Sequence, residues 1–496
     1  MSAETLDVTT APTAQARPTQ AALREFDALP NPRGIPVLGN ALQIESSRFH
    51  QQLEAWCVEF GPLFKVQIVN RTILVVGDYQ LVASTLRDRP DGFRRTSRFE
   101  EIWREMNLPT GVFGANGETW RRQRRMVMAG FDPAHVKRYF PAFQTVAQRL
   151  VGRWHKAARA NAAIELQPDL MRYTVDTIAG LAFGAAVNTL ESDGDVIQQH
   201  LDQIFPALFK RILSPLPTWR FVPSAANRKL ERSIAEVNLA VIGFVAQARE
   251  RMQADPSLHE NPRNLLEAMI AAADVPDSGI DDQQVAGNVL TMLLAGEDTT
   301  ADTIAWMIHL LWRNPRALAR AAGEVRWVVR DVNNPTFEEI AKLDYVEACA
   351  HETLRLKPVA PILPLETLRD VTIGDVRVPA GIIVSSLTRR DSVSDSHLAR
   401  ATTFDPERWL SANAESAAQN ASSAKRVSMP FGAGPRICPG RYLALLEMKM
   451  AMAVLLGNFD IDNVTTPDSL EAREHLAFTM VPVGLRMKLK VRGSAS

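Results

Sequence analysis

The chain has 496 residues, 46% of them hydrophobic, and its 56 basic side chains balance 56 acidic ones. That balance gives no electrostatic footprint for nucleic acid, and the apolar content is ample for a large buried core. Cys57, Cys349 and Cys438 are few, odd in number and far apart, which excludes a disulfide framework or a CxxC zinc site and fits a reducing compartment.

Residues 1–28, rich in Thr, Ala, Gln and Pro, hold no apolar run long enough for a signal peptide or a membrane span and read as a disordered tail. Order begins with the stiff run Pro30-Asn31-Pro32-Arg33-Gly34-Ile35-Pro36. Phe64–Val69 and Thr72–Val76, broken at Asn70-Arg71, predict a β-hairpin, with a helix from about Asp78 behind it. Phe93 to Glu118 reads as loop-rich. It carries Arg94, Arg95 and Arg98, either a solvated basic loop or an anion clamp, and then Met106, Val112 and Phe113.

In Trp120-Arg121-Arg122-Gln123-Arg124-Arg125, Trp120 and Arg124 fall four apart on one helical face. An indole N–H and a guanidinium suit a carboxylate acceptor, although a core tryptophan beside a surface arginine gives the same spacing. Arg121, Arg122 and Arg125 are left to face outward. Helices are predicted over Ala142–Arg159 and Leu170–Phe183. From Ile204 to Arg228, Phe205, Leu208, Phe209, Trp219 and Phe221 interleave with Lys210, Arg211 and Arg220. This is the pattern of packed amphipathic helices, or of a peripheral membrane contact.

Ile280 to Arg313 predicts one long helix, capped at Asp281 or Asp282 and stopped by Asn314-Pro315, about 50 Å at 1.5 Å per residue. Its apolar centre is interrupted by Ala295-Gly296-Glu297-Asp298-Thr299-Thr300. An unpaired buried polar group costs about 1–3 kcal/mol and a charge more, so something polar must face this turn. Thr299 lies four residues after Ala295 and can take that carbonyl, bending the helix, while Gly296 weakens the same turn. The result is a groove.

Glu352 and Arg355 are three apart on one helical face, the spacing of an ordinary surface pair. Pro358 to Leu363 follows, then small strands from Val371 to Val384 around Pro379-Ala380-Gly381, then Pro406-Glu407-Arg408 and an Ala/Ser/Asn-rich surface loop from Ser411 to Ser428. The decisive stretch is Phe431-Gly432-Ala433-Gly434-Pro435-Arg436-Ile437-Cys438-Pro439-Gly440 before a helix from Arg441 to Leu456. Gly434 and Gly440 allow positive φ and a close approach by a flat partner, and Pro439 suits the helix's first turn. Cys438 then sits at the helix's positive end, which lowers a thiol's pKa. By itself it reads as a metal ligand, a nucleophile or a buried structural thiol.

The loop Phe431, Gly434, Arg436, Cys438, Gly440 resembles the haem-binding loop Phe-x-x-Gly-x-Arg-x-Cys-x-Gly of the cytochrome P450 family, and the likeness runs from about Pro30 to the end of the chain. The resemblance implies a mainly α fold with a small β region, one large domain over residues 29–496. It implies haem b bound through the Cys438 thiolate, with Gly432 and Phe431 against it, and Trp120, Arg124 and Arg436 on the propionates. It makes Asp298 and Thr299 the pair that delivers protons for O2 activation, and Glu352, Arg355 and Arg408 a structural network behind the haem. Val112, Phe113, Met292, Ala295, Val359, Ile362, Leu363 and Thr479 line the implied substrate pocket, with residues 204–228 as its lid.

The activity implied is hydroxylation or epoxidation of a hydrophobic small molecule. No nicotinamide or flavin fingerprint is present, so the electrons are expected from an external ferredoxin or flavodoxin system, docking on the outward arginines. A soluble, cytoplasmic enzyme of bacterial type, without a transmembrane anchor, is the expectation. A haem-thiolate isomerase, peroxygenase, coupling enzyme or haem sensor is the alternative. One departure stands out: relatives commonly place arginine or histidine beside the glutamate after this Pro-Val-Ala-Pro run, as a propionate partner. Here Leu365 precedes Glu366, which leaves an arginine of the Phe93–Arg98 loop as the substitute.

Overall fold

The apolar run after Ile280 becomes one unbroken helix, Asp282–Arg313, and the other elements are laid around it. In the computed structural model, which describes residues 23–184, 187–192, 196–214, 216–410, 424–468 and 471–493, this central helix opens on a capping box. The Asp281 side chain accepts from the Gln284 N–H while the Gln284 side chain accepts from the Asp281 N–H. It is buried along nearly its whole length, packed on the floor helix Leu166–Phe183 and the cysteine helix Arg441–Asn458. A methyl at Gly296 would overlap Ile178, so this glycine lets the central and floor helices approach closely.

The β structure is small and peripheral. Five strands run in the order Leu63–Ile68, Arg71–Val76, Ile383–Leu387, Ile362–Thr367 and Phe93–Arg94. The hairpin forms with its turn one residue earlier than expected, at Val69-Asn70, with Val69 in the left-handed region at φ 55°. At the other edge, Phe93 pairs with Thr367 and Arg94 with Glu366, antiparallel. A main apolar core surrounds the central helix, and a second lies under this sheet, including Leu86, Phe93, Leu365 and Val384. The fold is one mainly helical domain with small sheets.

Several helices escaped the sequence reading, among them Leu265–Ala273 and Pro315–Val328. Ser97–Glu105 breaks the stretch expected to be loop-rich; Thr96 caps it, and Phe99, Ile102 and Trp103 point inward at helical spacing. Phe49–Phe60 and the 30-residue Ala225–Ala254 were unmarked because their polar faces dilute the apolar stripe. The expected lid region is composite. It ends the roof helix Val196–Leu213, forms a short turn at Thr218–Arg220 and begins the next helix, with Leu216, Phe221 and Val222 exposed. Residues 1–22 of the predicted tail and 411–423 of the predicted surface loop lie outside the described residues. Among the described residues no helix is long and apolar enough to cross a membrane.

Candidate functional site

The cysteine loop is pinned by its own backbone: the Cys438 N–H donates to the Phe431 carbonyl at 2.9 Å. Gly432 and Gly434 take positive φ, 73° and 70°, and a Cβ at Gly434 would lie 2.7 Å from the Arg87 Cα. Gly440 does not need its freedom, since its φ is −82° and it caps the cysteine helix. Pro439 therefore precedes the cap instead of entering the first turn. The electrostatics of Cys438 also differ from the simple helix-end argument. Burial pushes the thiol up, and the Gly440 N–H, Arg124 and Arg441 only oppose that rise.

Nearly all of residues 431–440 are half-buried, although Cys438 lies deep in the molecule. The central helix shows the same signature at one turn. Ala295, Gly296, Asp298 and Thr299 keep accessible surface while residues 289–294 and 300–309 are buried. Deep residues with uncovered surface border interior space, and both motifs singled out in the sequence carry that signature. The Thr299 hydroxyl donates to the Ala295 carbonyl at 2.6 Å, as the spacing predicts.

One edge of this site is basic. Arg436 donates to the Ala115 carbonyl and lies 4.8 Å from the Trp120 ring, and its Nε is buried without a partner. Arg124 donates to the Ile437 carbonyl at 2.7 Å. Burial, with Arg95, Arg89 and Arg124 near, pulls the Arg436 guanidinium down to about 9. An orphaned buried donor among crowded cations is the setting that an anionic group completes. A flat macrocycle with carboxylate arms fits these residues, and Cys438 is the thiol that would hold a metal within it.

Another side is acidic. One oxygen each from Asp202 on the roof helix, Glu297 and Asp298 lies within 4.8 Å of the others. Burial, with Asp202 adjacent, raises Asp298 to about 7, and burial raises Asp202 to about 6. Glu297 and Asp302 are pushed well above the carboxylate range by burial and by neighbouring acids. Gln167 donates to Asp302 at 3.0 Å. Nothing in the sequence placed Asp202, nearly a hundred residues upstream, against this turn.

Behind the site, Arg355 grips Glu352 with two bonds of 2.7 Å, both side chains wholly buried. Arg408 reaches Glu352 at 3.3 Å and the Trp409 indole donates to it at 2.9 Å. The remaining Arg355 donors meet the carbonyls of Ser392, Ala401 and Thr403. The ordinary surface pair of the isolated motif is thus a closed internal network.

Among the pocket candidates, Val112, Met292, Val359 and Thr479 are buried and Phe113 and Ile362 pack on the main core. Strand alternation sends Leu363 the other way, into the second core with Leu365, so it is turned off the pocket side. Phe478, beside Thr479, stands at φ 101° and stacks on Phe205 at 4.4 Å, with Phe113 at 6.1 Å. A bulky residue in that backbone region is unusual.

Comparison with known proteins points to one family. The sequence profile of the family described as Cytochrome P450 matches residues 29–489. Pentalenene oxygenase of Streptomyces avermitilis is 27% identical, covering 93% of this chain and 97% of its own. The chloroplastic protein Lutein deficient 5 of Arabidopsis thaliana is 26% identical, covering 90% and 77%. A self-sufficient cytochrome P450 monooxygenase of Phanerodontia chrysosporium is 29% identical over 87% of this chain, which spans only 40% of that protein. The crystal structure of the cytochrome P450DA heme domain superposes with a TM-score of 0.80 at 24% identity, covering 95% of this chain and 99% of that one, a likeness of fold. The chain belongs to the cytochrome P450 monooxygenase family, whose members carry haem on a cysteine thiolate.

Proposed function

We propose that this protein hydroxylates or epoxidises a hydrophobic small molecule with one atom of O2, the other leaving as water, using two electrons from an external ferredoxin or flavodoxin system. What supports this reading is that the Cys438 loop and the Asp298–Thr299 turn both keep uncovered surface deep in the chain, with the Thr299 hydroxyl on the Ala295 carbonyl. When bound, the haem supplies the oxygen-activating chemistry, and a thiolate ligand favours O–O cleavage.

The chain's own residues place and supply that group. Cys438 would hold the iron, whose positive charge offsets the burial that otherwise raises the thiol. Phe431 shields the sulfur from water, and Trp120, Arg124 and Arg436 take the propionates. Asp298, raised to about 7, both holds and releases a proton near neutral pH. Thr299 Oγ1, bonded to a backbone carbonyl only one turn away, can swing off it to pass a proton into the groove. A catalyst of rearrangement or of peroxide chemistry has no use for that pair.

Beside the cysteine loop, a cleft of about 400 Å³ is lined by Arg87, Arg121, Arg124 and Arg125 with Asp88 and Asp91 among them, and its excess of arginines offers a docking surface to an acidic electron donor. The absence of disulfides among the three cysteines accords with a cytoplasmic setting.

The reduced protein's carbonyl complex tests the ligand: sulfur-type absorption is expected, and an imidazole-type band rejects the reading. Thr299→Ala tests the relay. The variant is expected to keep haem and the same carbonyl band, yet to send most electrons to peroxide or water when driven by a surrogate ferredoxin chain. Unchanged coupling of electrons to product rejects the role of Thr299.

A further inference from the structure

We propose that Asp202, Glu297 and Asp298 form a binding site for a divalent cation of calcium's size, which ties the roof helix to the central helix at its polar turn. The site itself goes beyond the monooxygenase reading and does not depend on it. Its first support is geometry. Asp202 comes from the roof helix, and Glu297 and Asp298 are successive residues of the central helix, yet one carboxylate oxygen of each lies within 4.8 Å of the others. Calcium takes oxygen ligands at about 2.3–2.6 Å, so two oxygens on one ion are at most about 5 Å apart. Magnesium, at about 2.0–2.1 Å in a strict octahedron, demands a tighter set.

The second support is what these acids lack. Glu297 is 2% exposed, and its Oε1, aimed into the cluster, has no partner; Asp202 Oδ1 is likewise buried and unmatched. Asp302, outside the trio, stands one turn beyond Asp298 on the same helix face and is wholly buried. The Gln167 amide donates to its Oδ1 at 3.0 Å while its Oδ2 meets nothing. Among the described residues no cation pairs with these four acids. Arg172, whose charge acts on Asp202, donates to backbone carbonyls instead.

The ordinary explanation is protonation. Burial raises all four acids, and Asp202 and Glu297 can share one proton between them. A shared proton satisfies a single contact, however, and leaves three oxygens of three residues without a donor. A hard dication meets oxygens from several carboxylates at once, which no proton does. Asp202 and Asp298 keep accessible surface, which gives an ion its way in, while Glu297 and Asp302 are buried. Asp302, held by Gln167, adds a fourth negative charge just outside the ligands.

Occupancy has a consequence for the chemistry, and this consequence does rest on the reading above. A dication on Asp298 takes the oxygen that otherwise carries a proton, so the cation and proton delivery compete.

The test is calorimetric titration of calcium chloride into the haem-loaded, full-length ferric protein at pH 7.5 after removal of bound cations with a chelator. One calcium per chain is expected. Asp202→Asn and Glu297→Gln should each bind it at least about tenfold more weakly, and Glu250→Gln, at an exposed position of the helix Ala225–Ala254, should match the wild type. Wild-type protein that binds no calcium at millimolar concentration overturns the site, as does a calcium bound equally well by the folded variants. Should Asp202→Asn not fold, Glu297→Gln, which leaves the roof helix unchanged, decides in the same way. With a surrogate ferredoxin chain, saturating calcium should slow oxygen uptake severalfold, and unchanged uptake overturns the competition at Asp298. Wild-type protein that binds calcium but takes up no haem would instead defeat the haem-thiolate reading.

Discussion

Two regions on either side of the site bury charge in opposite ways. Glu352 is surrounded by donors, from Arg355, Arg408, Trp409 and the Asp405 N–H, so that each lone pair has an assigned partner. The acids of the central helix and roof helix face one another, and among the described residues no cation pairs with them. Arg172, whose charge acts on Asp202, donates to the carbonyls of Thr189 and Ser192. A closed network fixes one geometry, whereas like charges brought together hold protons and can exchange them. The first region is built to stay as it is, and the second to change its protonation.

The sharpest way to break this contrast is at Glu352. Its replacement by alanine leaves two buried guanidinium groups, Arg355 and Arg408, without their acid, and removing one partner of such a network costs about 3–5 kcal/mol. Glu352→Ala is therefore expected to unfold at much lower urea and to accumulate without haem. A variant with normal haem content and an unmoved urea midpoint would show that the network is not what holds this side together.

The acidic region predicts a smaller effect of opposite sign. Asp202, at about 6, and Asp298, at about 7, are raised above their unfolded values, so the folded chain binds more protons than the unfolded one. Their contribution is whole below about pH 4 and is lost as pH climbs through 6 to 7. Replacing Asp202 by Asn removes one charge from the cluster, and the protein should regain on the order of 2 kcal/mol at pH 8 and nothing at pH 4. Melting temperatures of wild type and Asp202→Asn between pH 4 and 8 check this. Parallel curves would mean that Asp202 stays charged and paired with something else.

How far the sequence carried these regions follows from the range of the interactions. Cys438, Thr299 and the Glu352–Arg355 pair belong to short motifs whose partners lie within ten residues, so their spacing alone prescribes their neighbours. Asp202, Arg89 and the cluster of His50, Lys357 and Arg389 around Glu474 are joined only by tertiary packing, and no local pattern marks them. The arginines of the Phe93–Arg98 loop fall between the two: their residue types were visible, but only packing pairs Arg94 with Glu100 and lays Arg95 on the Phe113 ring. Gly440 teaches a related lesson: a motif glycine need not sit at positive φ, and here Gly432 does so instead.

The least disruptive test of the same contrast lies at the pocket. Phe478 holds φ 101°, a conformation costing about 1–3 kcal/mol for a side chain of its size, and is kept there by stacking on Phe205 and packing near Phe113. Glycine at this position relieves the strain but forfeits the aromatic contacts, worth about 0.5–1.5 kcal/mol a pair. The two terms nearly cancel, so Phe478→Gly should melt within a few degrees of the wild type. Binding should change far more, because the ring closes the row from Phe113 to the roof helix. The ferric variant is expected to accept bulkier azoles than the wild type and to discriminate less among them. A large loss of stability with unchanged azole selectivity would place Phe478 with the residues that hold the fold together, and not with those that choose what enters it.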